Sequence, residues 1–235
     1  MQKKWIFIVI DWTDGSWKWT QTKLLISKLQ ENGYPVEILD FPRYGQPSAA
    51  MVSEYLNGKL WWAMEVGPYR ASILYAVDRY AASFELKKWL EEGKIVVSNR
   101  YVSANMGHQA GKIKDPQERE KFLNWLEDLE YNIFGIPKPD MNILLYMPPE
   151  IGQQLVDKKS EADRSYATGE NKKRDIHEAD IQHLIDAAQA YKEVAQKYNW
   201  TIIDSAPNGQ IRTIEEIADQ LRNETKKHLE NLASK

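Results

Sequence analysis

The hexapeptide Trp5-Ile-Phe-Ile-Val-Ile10, closed by Asp11, limits the fold more than any other feature of the chain. Each of its residues is β-branched or aromatic, so neither face is left for water. A strand of this kind is buried on both sides, as the strands of a parallel sheet are. The run is too short for a signal-peptide core or a membrane span, and the acid ends it. A soluble chain, cytoplasmic by default, is expected.

A parallel sheet needs a crossover after each strand, and the sequence supplies them. Leu24, Leu25, Ile26 and Leu29 recur at helical spacing until Asn32-Gly33 closes the helix. A second strand is predicted over 35–39, a short helix over 47–56, and a long helix over 68–92 with Pro68 in its first turn and Gly93 beyond its end. A third strand covers 95–98, an amphipathic charged helix 115–131, and a fourth strand 141–146 that leads to a helix from Pro148. Ile181, Leu184, Ile185, Ala188, Tyr191, Ala195 and Tyr198 form one helical stripe, followed by a strand over 200–203 and a helix over 214–229. The expected fold is a three-layer α/β unit: a five-stranded parallel sheet with helices on both faces and ligands at the carboxyl ends of the strands. One domain over 1–235 accommodates it, with no repeat or linker. The stretch 157–175 is dense in charge and lacks apolar periodicity, which reads as a flap or lid.

Charge narrows the partners. With 31 basic and 34 acidic residues the net charge is −3, which points to neither a nucleic-acid groove nor an anionic membrane surface. The chain has no cysteine, so disulfides and thiolate metal sites are excluded. Its nine tryptophans are many for this length, and Trp12, Trp17 and Trp19 cluster in a single loop. A second pair, Trp61-Trp62, follows Asn57-Gly58, where it reads as packing under a loop.

The loop Asp11-Trp-Thr-Asp-Gly-Ser-Trp-Lys-Trp-Thr-Gln21 connects a buried strand to a helix, the setting a phosphate-binding loop requires. In such a loop backbone N–H groups and the helix N-terminus surround a phosphate, a lysine reaches the terminal phosphates, and a hydroxyl just after it binds magnesium. Gly15, Lys18 and Thr20 fit that scheme. Asp14-Gly-Ser-x-Lys-x-Thr-Gln21 resembles thymidylate kinase, a P-loop nucleoside monophosphate kinase. That family has glycine where this chain has Trp12 and Trp17, and a small residue at Trp19. Glycine serves there because it takes φ > 0 and lets phosphate approach; a residue with Cβ held so costs ~1–2 kcal/mol. An indole also carries roughly 150–250 Å² of surface to bury. The tryptophans are therefore expected to fill the donor site, leaving either a kinase with weak ATP binding or an inactive scaffold that holds a nucleotide or another ligand.

The remaining segments resemble the same family over nearly the whole chain. Phe41-Pro-Arg-Tyr-Gly45 places Arg43 where the family grips the phosphate of dTMP, a task that suits a planar, permanently charged guanidinium. Tyr75-Ala-Val-Asp-Arg-Tyr80 resembles the segment in which an aromatic stacks on the base, and Tyr75 and Arg79 are four apart and share a helical face. Arg100, Asn105 and Gln109 match the Asp-Arg-Tyr segment and its base-contacting polar residues, with Asn99 replacing the acid. His108 receives no role.

The resemblance implies transfer of the γ-phosphoryl of ATP to dTMP for nucleotide supply. Catalytic parts would be Lys18, Asp14, Arg100 and the lid residue Arg164, to which Lys172, Lys173 or Arg174 could add charge. Gly15, Ser16, Lys18 and Thr20 would take ATP; Arg43, Tyr75, Arg79, Asn105 and Gln109 would take dTMP; Thr20 would hold Mg2+. A homodimer is a further expectation from the resemblance.

Overall fold

The computed structural model describes residues 6–13, 17–60, 63–157 and 181–233. Five parallel strands form one sheet: β1 Ile6–Trp12, β2 Val36–Asp40, β3 Ile95–Asn99, β4 Met141–Tyr146 and β5 Thr201–Asp204. Their order is β2-β3-β1-β4-β5, so the strand expected to be most buried is central. In register, Ile6 lies beside Ile95 and Ile8 beside Met141.

Period-two alternation sends the side chains of β1 to two different cores. Ile6, Ile8, Ile10 and Trp12 pack with Leu25, Ile26 and Leu29 of α1 Lys18–Glu31 and with Ile217 and Leu221 of α8 Ile214–Ala233. Phe7 and Val9 pack on the opposite layer. That layer draws Leu86 from α3 Ala63–Glu91, Val102 from α4 Val102–His108, Phe122 from α5 Pro116–Glu127 and Val194 from α7 Ile181–Lys197. Two short helices complete the set, α2 Ala50–Leu56 and α6 Pro149–Asp157.

Local chemistry explains several boundaries. The first turn of the predicted 47–56 helix is 3-10, over Pro47–Ala49, before α2 begins. Gly67 (φ 73°, ψ 167°) breaks α3 just before Pro68, so the long helix restarts where a proline fits the first turn. Asp115 caps α5 by accepting from the Glu118 N–H at 2.8 Å. The helix predicted to run to Tyr131 instead widens into a π-helical turn over Asp128–Ile133, which carries Glu130 fully into the protein. At Gly107 of α4 any Cβ would overlap the ring of Tyr191 on α7, so glycine permits these helices to close on each other. Trp61 and Trp62, and most of the 157–175 stretch read as a lid, lie outside the described residues.

Candidate active site

The carboxyl ends of β1, β2 and β3 meet the start of α1, and charged groups gather there. Lys18 opens α1, with Trp17 before it at φ 51° and ψ 32°. The left-handed backbone that glycine usually supplies is thus adopted by a tryptophan, at a cost of ~1–2 kcal/mol. Its ring, half-buried, packs against the α1/α8 core, which offsets that cost.

Trp12 is the most consequential of the three indoles. As the last residue of β1 it falls on the α1 side of the sheet and is 3% exposed. The Lys18 Nζ stands 4.4 Å from its ring centroid and the Arg100 guanidinium carbon 4.7 Å. Cation–π contacts between a buried ring and half-buried cations are worth about 0.5–2 kcal/mol each. An aromatic ring therefore engages two cations, Lys18 and Arg100, both expected among the catalytic parts. The Trp12 Nε1 is buried with no hydrogen-bond partner among the described residues. Trp19 is exposed, with the Lys23 Nζ 5.0 Å from its ring.

Arg100 follows β3 with φ 60°. Two hydrogen bonds fix this unusual backbone: its N–H donates to the Ile10 carbonyl at 2.9 Å, and the Ser98 hydroxyl donates to its carbonyl at 2.7 Å. Asn99, standing where an acid was expected, accepts from the Thr22 hydroxyl at 2.7 Å and is hydrogen-bonded to Asp40. Asp40 ends β2 on the open side of the cleft; burial raises its pKa, opposed by Lys18 and Arg100. Sequence reading missed Asp40, because only the parallel register of β2 with β3 brings it beside Asn99.

Asp11, adjacent to Trp12, points to the other layer and is 1% exposed. It accepts a short hydrogen bond from Ser103 and one of 3.1 Å from the Tyr191 hydroxyl. Burial pushes its pKa up from 3.8 to about 6, against the pull of Ser103, Arg100, Tyr191 and Arg79. The acid that closes the apolar run thus ties the sheet to α4 and α7.

On the acceptor side, Arg43 is half-buried. Its Nε donates to Asp78 at 3.1 Å and its Nη2 to the Ser48 hydroxyl at 3.0 Å, while Asp78 also accepts from the Arg43 N–H at 2.8 Å. This clamp fixes the guanidinium and leaves Nη1 outside these contacts. Tyr75 is half-buried, its ring 6.3 Å from that of Tyr55 in an edge contact. Asn105 and Gln109 are buried; the Asn105 amide donates to the Ser72 carbonyl at 3.2 Å, and the Gln109 Oε1 has no partner among the described residues.

Arg79, expected to share one helical face with Tyr75 and to contact the acceptor, is withdrawn from solvent. Its side chain is 2% exposed and bound at both ends of its fork by Glu130, at 2.5 and 2.6 Å, with Nη1 on the Tyr101 carbonyl at 3.1 Å. A guanidinium taken out of water requires a paired carboxylate, and the π-helical turn delivers one. Glu130 and the Tyr101 carbonyl thus occupy the Arg79 guanidinium in this structure. Asp14, Gly15, Ser16 and Arg164, together with Lys172, Lys173 and Arg174, lie outside the described residues.

A magnesium donor set does not emerge from the described residues. Trp19 occupies the position after Lys18, the Thr22 hydroxyl is committed to Asn99, and Thr20 alone offers an exposed hydroxyl on this turn. Among the described residues no group of three or more His, Cys, Asp or Glu could hold a metal ion, and no helix is long and apolar enough to cross a membrane.

Comparison with known proteins decides the ancestry of this arrangement. The thymidylate kinase family profile matches residues 10–217, from the end of β1 into α8. The chain belongs to the thymidylate kinase family. It is 28% identical to the thymidylate kinase of Mycobacterium tuberculosis over 191 residues, 81% of this chain and 86% of that one. It is also 28% identical to that of Plasmodium falciparum over 228 residues, 96% and 92% of the two chains. The solved thymidylate kinase of Candida albicans shares the fold with a TM-score of 0.70 over 95% of this chain and 92% of its own, at 21% identity. Thymidylate kinases are nucleoside monophosphate kinases, transferases of nucleotide biosynthesis, and the P-loop kinase architecture read from the sequence is the one observed.

The state of Asp11 has a measurable consequence. Because its folded pKa lies above its unfolded value, it favours folding most below pH 3.8 and loses that contribution as pH rises through about 6. D11N cannot ionise. The stability of D11N minus that of the parent, followed by denaturant unfolding, is expected to rise between about pH 4 and 6 and then level off. A pH-independent difference would show that Asp11 does not titrate as placed.

Proposed function

We propose that the reaction of this site is transfer of the γ-phosphoryl of ATP to dTMP, and that this chain keeps the acceptor half while Trp12 holds the donor half shut. The observation that carries the reading is the contact of both Lys18 and Arg100 with the Trp12 ring. In a working site Lys18 would balance charge on the β- and γ-phosphates, while Arg100 and the lid residue Arg164 stabilise the transferring group. Gly15, Ser16 and Thr20 would line the ATP side. Transfer is direct, from the γ-phosphate to an acceptor phosphate oxygen, so no covalent enzyme intermediate forms. With the ring in place, a phosphate must displace it from both cations and find room for it in a packed core.

On the acceptor side no indole stacks on Arg43 among the described residues. Arg43, held by Asp78 and Ser48, presents its remaining N–H groups to a phosphate dianion. Tyr75 offers a ring to the base, Asn105 and Gln109 offer polar edges, and Asp14 would lie near the acceptor. Nucleotides with this pattern of loss would be bound without being turned over.

Two measurements test the reading. In thermal unfolding, dTMP at about 100-fold its Kd should stabilise the chain by ~2.7 kcal/mol, a rise of roughly 5–10 °C, while ATP leaves Tm unchanged. W12G/W17G/W19S should restore an ATP shift and ATP-dependent formation of dTDP. No shift with dTMP would remove the acceptor assignment, and a parent chain that turns over dTMP as fast as the triple variant would remove the donor-side claim.

A homodimer belongs to the same proposal. Ile73, Val77, Tyr80 and Phe84 lie at four-, three- and four-residue spacing along α3 and are all exposed, Phe84 by 62%. An apolar seam of that period on a helix favours burial against a second copy. Sedimentation at micromolar concentration is expected to show a dimer that F84E converts to monomer; a monomeric parent would contradict it.

A further inference from the structure

A cavity of about 660 Å³ lies between α1 and α8, where it meets the first residues of β1 and β3, Ile6 and Ile95. This is the amino end of the sheet, opposite the phosphate cleft. Lys28, which lines the cavity, comes almost three helical turns after Lys18, ~15 Å along α1. Small-molecule sites have volumes of roughly 300–1,000 Å³, so the space is that of a ligand site and exceeds an ordinary packing void.

Helical spacing arranges its walls. Leu25, Lys28, Leu29 and Asn32 share one face of α1, and Arg222, Thr225, Lys226 and Leu229 share one face of α8. Ile6, Ile95, Leu25 and Leu29 are buried, whereas Leu229 packs on the same core and is only partly covered. The layer that buries Trp12 at one end therefore leaves a leucine half-open at the other. The Thr225 hydroxyl donates to the Leu221 carbonyl of its own helix at 2.9 Å, so it is already satisfied.

Charge at the cavity is one-sided. Lys28, Arg222 and Lys226 line it against Glu230 alone. Each cation has an acid on its own helix: Lys28 Nζ is 2.8 Å from Glu31, Arg222 pairs with Asp219, and Lys226 Nζ is 3.8 Å from Glu230. Glu31 and Asp219 stand outside the lining and are largely exposed, and pairs of that kind contribute little in water. They steady the cations without using up their donors, three on a lysine and five on an arginine. The lysine stems also extend the apolar wall while their heads stay at the mouth.

An occupant must cover the leucines and bring negative charge. The chain's own start does not fit, because Lys3 and Lys4 repeat the charge of the rim. A second copy does not fit either, since a two-fold contact would set that rim against itself. We propose that this cavity binds a small amphipathic carboxylate, with its apolar body on Leu25, Leu29 and Leu229 and its head against Lys28, Arg222 and Lys226. The site is separate from the nucleotide cleft and does not depend on the function proposed above.

Dodecanoate below its micelle concentration is the probe, with dodecylammonium as the cation of equal chain length. Methyl NMR of the full chain should show saturable shifts at Leu25, Leu29 and Leu229 while the exposed Leu24 stays unmoved. Dodecanoate should bind at least 10-fold more tightly than dodecylammonium. K28E/K226E should weaken dodecanoate at least 10-fold, and L229W, which puts an indole into the cavity, should abolish its binding. Position and charge preference are both read on the parent, so the test stands even where L229W does not fold. No saturable shift, or shifts centred on the exposed Ile73 face of α3, overturns the site. Equal affinity for the two amphiphiles, or undiminished dodecanoate binding in K28E/K226E, overturns the assignment of its head group. Binding that appears only after removal of residues 1–4 would make the chain's own start the occupant and overturn the proposal.

Discussion

Burial of β1 on both faces is the constraint from which the functional geometry follows. A strand in the middle of a parallel sheet hands successive residues to opposite layers. At its carboxyl end this puts Trp12 among the α1/α8 residues and Asp11 among α4 and α7. The same step that places an indole against Lys18 and Arg100 anchors a buried carboxylate to Ser103 and Tyr191. Neither residue can exchange sides without shifting the whole strand, because a one-residue slip would reverse every side chain of β1.

Electrostatics then divide the cleft. On the donor side the Lys18 and Arg100 cations meet the Trp12 ring, and the Asp40 carboxylate at the end of β2 is pulled by both of them. On the acceptor side charges are paired: Asp78 fixes Arg43, and Glu130 holds Arg79.

Much of the fold was legible because the deciding signals were local. The apolar run of β1, the helical spacing in α1 and the stop at Gly33 predict the elements found, and Lys18 opens α1. The left-handed backbone at Trp17 was legible too, since it stands where the resemblance has a glycine that takes φ > 0. What escaped was long-range. Arg79 and Tyr75 are neighbours on a helix, but Glu130, 51 residues away, decides where Arg79 turns, and it arrives through a π-helical turn with no distinctive composition. Asp11 meets Tyr191 across 180 residues, and Lys112 meets Tyr55 across 57. A spacing rule cannot foresee such pairs; they follow from helix packing, as where Gly107 lets α4 approach α7.

The account turns on Lys18 and Arg100 being held against the Trp12 ring, and proton NMR of the side chains reads that contact directly. Methylene protons over an aromatic face resonate upfield of their ordinary positions. The ε-methylene of Lys18 and the δ-methylene of Arg100 should both be displaced upfield in the parent and return to ordinary positions in W12G. Ordinary shifts for both in the folded parent would show that the indole does not occupy the cradle, and the donor half would have to be regarded as open.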